Sequence, residues 1–185
     1  MPTHVSALVS AHDLDQYIPD AVAALAWPGT TVGPRVVLGR RVALVATLLP
    51  EPHRQRQDRN QRPVLDKFDL EWLLLPEQRH KAPAPAVSLH GVIAPAGHWP
   101  TAQALAAPFV AMCPTVVLLP RQLTRQSCAG AFVPTTRRVG VVAADDHGVD
   151  VVRDPQRARP QWDRLHHRLV LETLYQLLTM READQ

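Results

Sequence analysis

Asp69 and Glu71 are the residues whose types and spacing come nearest to catalysis. They sit two apart in FDLEWLLL, a stretch that reads as a strand over 68–75 ending at Pro76. Side chains two apart on a strand leave the same face, so both carboxylates would reach one magnesium ion. The chemistry such a pair serves is metal-assisted hydrolysis, and magnesium is the only cofactor any reading of this chain calls for. An edge strand with Phe68, Leu70 and Trp72 packed inward and the two acids in water explains the same alternation without a ligand.

A second group is basic. Arg54, Arg56, Arg59 and Arg62 lie in EPHRQRQDRNQR (51–62), which has no apolar residue except proline and sets four arginines against Glu51 and Asp58. The composition predicts a polar, mobile, solvated loop whose guanidinium groups suit the phosphates of a polyanion, although a charged loop needs no ligand. Asp145, Asp146, His147 and Asp150 make a further acidic cluster, of the residue types a hairpin loop uses for backbone reasons. His166-His167 and His4/His12 lack metal-ligand spacing. Neither GxxxxGK[ST], GxGxxG nor GxSxG occurs, which argues against nucleotide hydrolysis and α/β-hydrolase chemistry.

The elements that must position these groups alternate in type. HVSALVS (4–10) reads as a short strand and DLDQYIPDAVAALAW as a first helix beginning near Pro19. VVLGRRVALVATLL (36–49) reads as a hairpin about Gly39-Arg40. After 68–75 comes a strand at 86–94, able to pair with it antiparallel. A helix at 101–113, a strand at 115–119, a helix at 121–130 and a strand at 139–144 follow, which is the rhythm of βαβ crossovers in a parallel sheet. Gly148 suits the turn into an antiparallel edge strand at 149–153.

A long amphipathic helix closes the chain over 160–182, with Pro160 in its first turn. Its apolar arc is wider than one core requires, so Trp162, Leu171, Leu174 and Leu178 are candidates for an oligomer interface, most simply with another copy of the chain. A helix sunk between the sheet and a loop accounts for the same arc.

With 185 residues, 46% hydrophobic and 20% charged, the chain has the size and composition of one globular domain spanning 1–185. Its net charge of +3 permits a nucleic-acid partner without demanding one. Residues 82–120 contain no Asp, Glu, Lys or Arg, yet seven prolines interrupt them, so they predict a sheet centre covered on both faces rather than a membrane span. Cys113 and Cys128 form no ligand or disulfide pattern, and MPTHVSALVSAHDLD lacks a basic leader, so the expected compartment is cytoplasmic. The expected fold is α/β: a mixed, mostly parallel sheet flanked by helices, with a β-hairpin edge and a long C-terminal helix.

The element order, carried by FDLEWLLL, TAQALAAPFVAMCPTVVLLPRQL and RRVGVVAADDHGVDVV, resembles the core of the PD-(D/E)xK restriction-endonuclease-like superfamily over about 68–153. The resemblance implies a strand aspartate, matched by Asp69, and a Glu-x-Lys on the next strand that together bind magnesium for phosphodiester cleavage. The next strand here, AVSLHGVIA, has neither Glu nor Lys, which implies a lost hydrolytic site. VSALVSAHDLDQYIPDAVAAL also looks like the opening of a family 2 glycosyltransferase, but VVLGRRVALVATLL follows where that family carries an acidic nucleotide-binding motif. The expectation is a non-catalytic, nuclease-like binding or assembly component associated with nucleic acid. Its alternatives are a divergent magnesium-dependent phosphodiester hydrolase using Asp69 and Glu71, and a structural protein assembling through its C-terminal helix.

Overall fold

The charge-free stretch 82–120 supplies the deepest part of the fold. In the computed structural model, which describes residues 11–127, 138–156 and 164–183, it contributes the two central strands of a six-stranded sheet. These are β3 (Val87–Pro95) and β4 (Thr115–Pro120); every residue of β4 is buried, and β3 is buried from Gly91 onward. Continuous burial is what a strand covered on both faces requires, and it explains why no charge is tolerated there.

β1 (Thr30–Val37) and β2 (Arg40–Leu48) extend the sheet on one side, and β5 (Val139–Asp145) and β6 (Gly148–Arg153) on the other, in chain order. The β3–β4 and β4–β5 pairs are parallel; the β1–β2, β2–β3 and β5–β6 pairs are antiparallel. The α/β class, mixed sheet, hairpin edge and long C-terminal helix are as expected, but antiparallel pairings outnumber parallel ones. The reason is that the β1–β2 hairpin joins the same sheet, with β2 taking the place beside β3 that the sequence reserved for 68–75.

Three layers result. On one face α1 (Ile18–Ala24) lays Ile18 and Ala21, with Leu14, against Ile93, Val116, Leu118 and Val142. On the other, α4 (Trp99–Ala106) and α6 (Leu165–Ala183) cover Val92, Val117, Leu119 and Val141 with Ala102, Ala106, Leu171 and Leu174. Alternate residues of β4 thus feed opposite clusters, as the pleat dictates. α5 (Arg121–Ser127) links β4 to β5. The first hairpin turns on Leu38 and Gly39, both at positive φ (50° and 71°), one position before the expected pair, and Gly148 turns the last hairpin at φ 121°.

Two expected elements differ in kind. The predicted mobile loop at 51–62 is largely helical: α2 (Pro50–Asp58) starts on a proline that suits a first turn. The predicted strand at 68–75 is α3 (Lys67–Leu73), nucleated by Asp66, whose carboxylate accepts the N–H groups of Phe68 and Asp69 at 2.8 and 3.0 Å. Among the described residues no helix is long and apolar enough to cross a membrane. The expected strand at 4–10, Cys128, Pro160 and Trp162 lie outside the described residues.

Candidate functional site

α2 has no apolar face to hold it; it is held to α6 by a buried ion pair and by His53, whose Nδ1 lies 3.1 Å from the Tyr175 hydroxyl. Arg56 is 1% exposed and meets the equally buried Glu172 of α6, with Nη1 3.0 Å from Oε1 and Nη2 2.7 Å from Oε2. The Val64 N–H donates to Oε2 at 3.0 Å, and Arg168 donates from Nε to Oε1 at 3.1 Å. Glu172 therefore accepts four hydrogen bonds, which is what a carboxylate in a dry interior needs. Arg56 also donates to the Arg62 carbonyl at 3.0 Å and lies 4.2 Å from the centre of the Tyr175 ring, while Arg168 donates to the Pro83 carbonyl. Burial holds the Arg168 guanidinium below its ordinary pKa, with Glu172 opposing.

Arg56 is thus a structural cation, sealed away from any polyanion, which corrects its assignment to a nucleic-acid-binding set. Arg54, Arg59 and Arg62 are exposed, and Arg54 lies 3.5 Å from Glu51. The leucines expected at an oligomer interface are likewise accounted for within the chain: Leu171, Leu174 and Leu178 are buried in the core against the sheet. The wide arc of α6 faces its own sheet on one side and the loops and helices of 50–83 on the other, so the sunk-helix alternative describes it.

Asp69 and Glu71 are not brought together. Two residues apart on a helix are about 200° apart, so the carboxylates diverge, and both are exposed. Among the described residues no group of three or more His, Cys, Asp or Glu is gathered to hold a metal ion. The acidic cluster after β5 has a backbone role, since Asp145 accepts the His147 N–H at 3.0 Å across the turn, and Arg121 pairs with both Asp145 and Asp150. Partial desolvation works against the Asp145 carboxylate, yet the His147 N–H and Arg121 hold its pKa below the usual range.

A polar groove of about 270 Å³ lies beside this cluster at the C-terminal ends of β4 and β5, edged by Tyr17 and Gln122. Among the described residues strand order never reverses along the sheet, so these strands form no switch-point crevice of the doubly wound kind. At the opposite end of the strands a larger hollow of about 620 Å³ is walled by Trp27 and His90. Burial pushes His90 below the usual histidine pKa, and its Nε2 lies 3.0 Å from Thr47 Oγ1.

Among the described residues the outer side of α3 gathers exposed apolar side chains. Leu70 is fully buried and α3 packs on α6 through that side, yet Phe68 is 78% exposed and Trp72, one turn on, 49%. Leu65 and Leu75 extend the exposed row in both directions. Phe68 and Trp72 fall about 40° apart at helical spacing and form one stripe on α3, with Leu65 just before the helix and Leu75 just after it. Lys81 sits 5.6 Å over the Trp72 ring at its margin. The strand reading hid this row by placing Phe68 and Trp72 inward with Leu70; the signal that finds it is Asp66, an N-cap residue directly before LysPheAspLeu.

No family model, curated protein or solved structure matches the chain.

Proposed function

We propose that this chain is a binding and assembly component without hydrolytic activity, working through the outer face of α3. The observation that carries the reading is the pairing of Phe68 and Trp72 on a helix whose opposite face is already packed. Single exposed apolar side chains are ordinary, whereas two large aromatic rings side by side on one helix, with exposed leucines just before and just after it, are the pattern of a surface covered by a protein partner.

Magnesium-dependent hydrolysis receives less support, because its two carboxylates diverge. Descent from a nuclease-like core remains a proposal resting on element order: the antiparallel β2–β3 pair, the α4 crossover, then β4. Neither β2 nor β3 carries an acidic residue, so that descent would supply a scaffold and not a metal site. A nucleic-acid partner is weakened by arithmetic. With Arg56 neutralised inside, 51–62 presents Arg54, Arg59 and Arg62 against Glu51 and Asp58, a surplus of one positive charge.

The test is the size of the native assembly in cell extracts, for the wild type and for Phe68→Ser/Trp72→Ser, with and without nuclease. The expected result is a nuclease-resistant assembly that the serine pair reduces to monomer. Monomer in every lane contradicts the reading; an assembly lost to nuclease and indifferent to the serine pair transfers it to nucleic acid.

A further inference from the structure

We infer that the occupant of the α3 face is a second copy of this chain, docked α3 against α3 in antiparallel sense about a two-fold axis. The inference rests on the reading above and names its partner.

Three features of the segment 65–81 lead to it. First, Phe68 and Trp72 lie one turn apart on α3, with Leu65 and Leu75 flanking the helix at equal distances in sequence, and a two-fold axis through the midpoint of the two rings exchanges Phe68 with Trp72. Such an isologous contact sets Phe68 of one protomer beside Trp72 of the other, an aromatic pairing repeated twice. Second, the two ends of the segment carry opposite charge. At the start of α3 lie Asp66 and Asp69 against Lys67, Glu71 lies in its last turn, and beyond its end lie Arg79 and Lys81 against Glu77. All seven are exposed. An antiparallel pair therefore lays the acidic end of each protomer along the basic end of the other, twice, whereas a parallel pair would oppose like to like.

Third, the basic end is already next to the apolar row, since the Lys81 ammonium rests 5.6 Å from the Trp72 ring. A carboxylate arriving from the partner's Asp69, next to the Phe68 that pairs with Trp72, would meet that cation at the rim of the contact, outside its apolar centre. This is the usual division of an interface into a dry centre and a charged rim. Four side chains per protomer make a small centre, below the ~800 Å² per partner of long-lived complexes, so the dimer is expected to be reversible.

Sedimentation velocity of the full chain across roughly 1–500 µM, where weak interfaces associate, tests the inference. Two charge variants accompany the wild type, Asp69→Lys/Glu71→Lys and Arg79→Glu/Lys81→Glu, with Phe68→Ser/Trp72→Ser as the apolar control. All substituted positions are exposed, and circular dichroism confirms that each variant is folded.

The expected result is a concentration-dependent dimer that the serine pair abolishes. Each charge variant alone should weaken it by about tenfold or more, and an equimolar mixture of the two should restore it as a heterodimer. Wild type remaining monomeric throughout, a dimer indifferent to the serine pair, or charge variants that dimerise as well as wild type would each overturn the inference. A monomer in purified form whose assembly in extracts still depends on Phe68 and Trp72 would overturn only the second-copy inference and leave the broader reading in place.

Discussion

Arg56 and Glu172 are 116 positions apart in the chain and meet in its interior, Nη2 to Oε2 at 2.7 Å, each 1% exposed. The pair ties α2, a helix with no apolar anchor, to α6. Arg168 shares the same carboxylate, so two guanidinium groups answer one acid. The two partners are therefore unequal. Glu172→Gln leaves two buried cations facing each other and should cost about 3–5 kcal/mol, the range for an uncompensated buried charge. Arg56→Met leaves the Arg168–Glu172 pair intact and should cost less, roughly 1–3 kcal/mol for the lost hydrogen bonds and packing. Urea denaturation of both variants measures the ordering, and equal losses would contradict it.

Asp66 and Asp69 differ in role although both are exposed acids at the start of α3. Asp66 accepts two backbone N–H groups and Asp69 accepts none in the helix cap. Asp66→Ala should cost about 1 kcal/mol, and Asp69→Ala only a few tenths, roughly the size of a helix-dipole contact. Thermal unfolding distinguishes them, and a larger loss at Asp69 would mean that its carboxylate has a partner of its own.

Burial pushes the Cys113 thiol up to about 12, against an ordinary value of 9.0, with a weak opposing contribution from Thr115. Above pH 9 the unfolded chain releases this proton while the folded chain keeps it, so the fold loses stability as pH rises from 9 towards 12. The slope from this group is at most about 1.4 kcal/mol per pH unit. In a Cys128→Ala background the thiol should resist a soluble disulfide reagent at pH 8 until denaturant is added. Stoichiometric labelling of the native protein would contradict its burial.

Gly91 interrupts the apolar run of β3 because the Trp27 ring lies on it; a methyl group there would overlap the ring. Gly91→Ala should destabilise by about 1–3 kcal/mol, the ordinary cost of overpacking. Trp27 should become more solvent-exposed, seen as red-shifted emission in a background where Trp72, Trp99 and Trp162 are phenylalanine. An unshifted spectrum with unchanged stability would show that the ring has room to move.

The sheet centre was legible in the sequence because absence of charge over 82–120 has few structural solutions, and β4, β5, β6 and the closing helix follow within a few residues of their expected bounds. α3 was not, since Phe-Asp-Leu-Glu-Trp satisfies a period of two as well as it satisfies a helix with two apolar faces. α2 was missed for a different reason. Apolar periodicity is the usual mark of a packed helix, and α2 is packed through polar side chains, Arg56 on Glu172 and His53 on Tyr175, whose partners lie at the far end of the chain. The pair with Glu172 removed Arg56 from the candidate phosphate contacts, and burial of Leu171, Leu174 and Leu178 moved the candidate interface from α6 to α3.

The most direct measurement of that interface is photocrosslinking in living cells, with a benzophenone side chain at position 68 on the stripe and, as control, at the exposed Gln57 of α2. Position 68 should yield a discrete protein adduct, at twice the mass of the chain, that position 57 does not. Reaction with solvent alone at position 68, or the same adducts from both positions, would contradict the claim that α3 is where this protein is held.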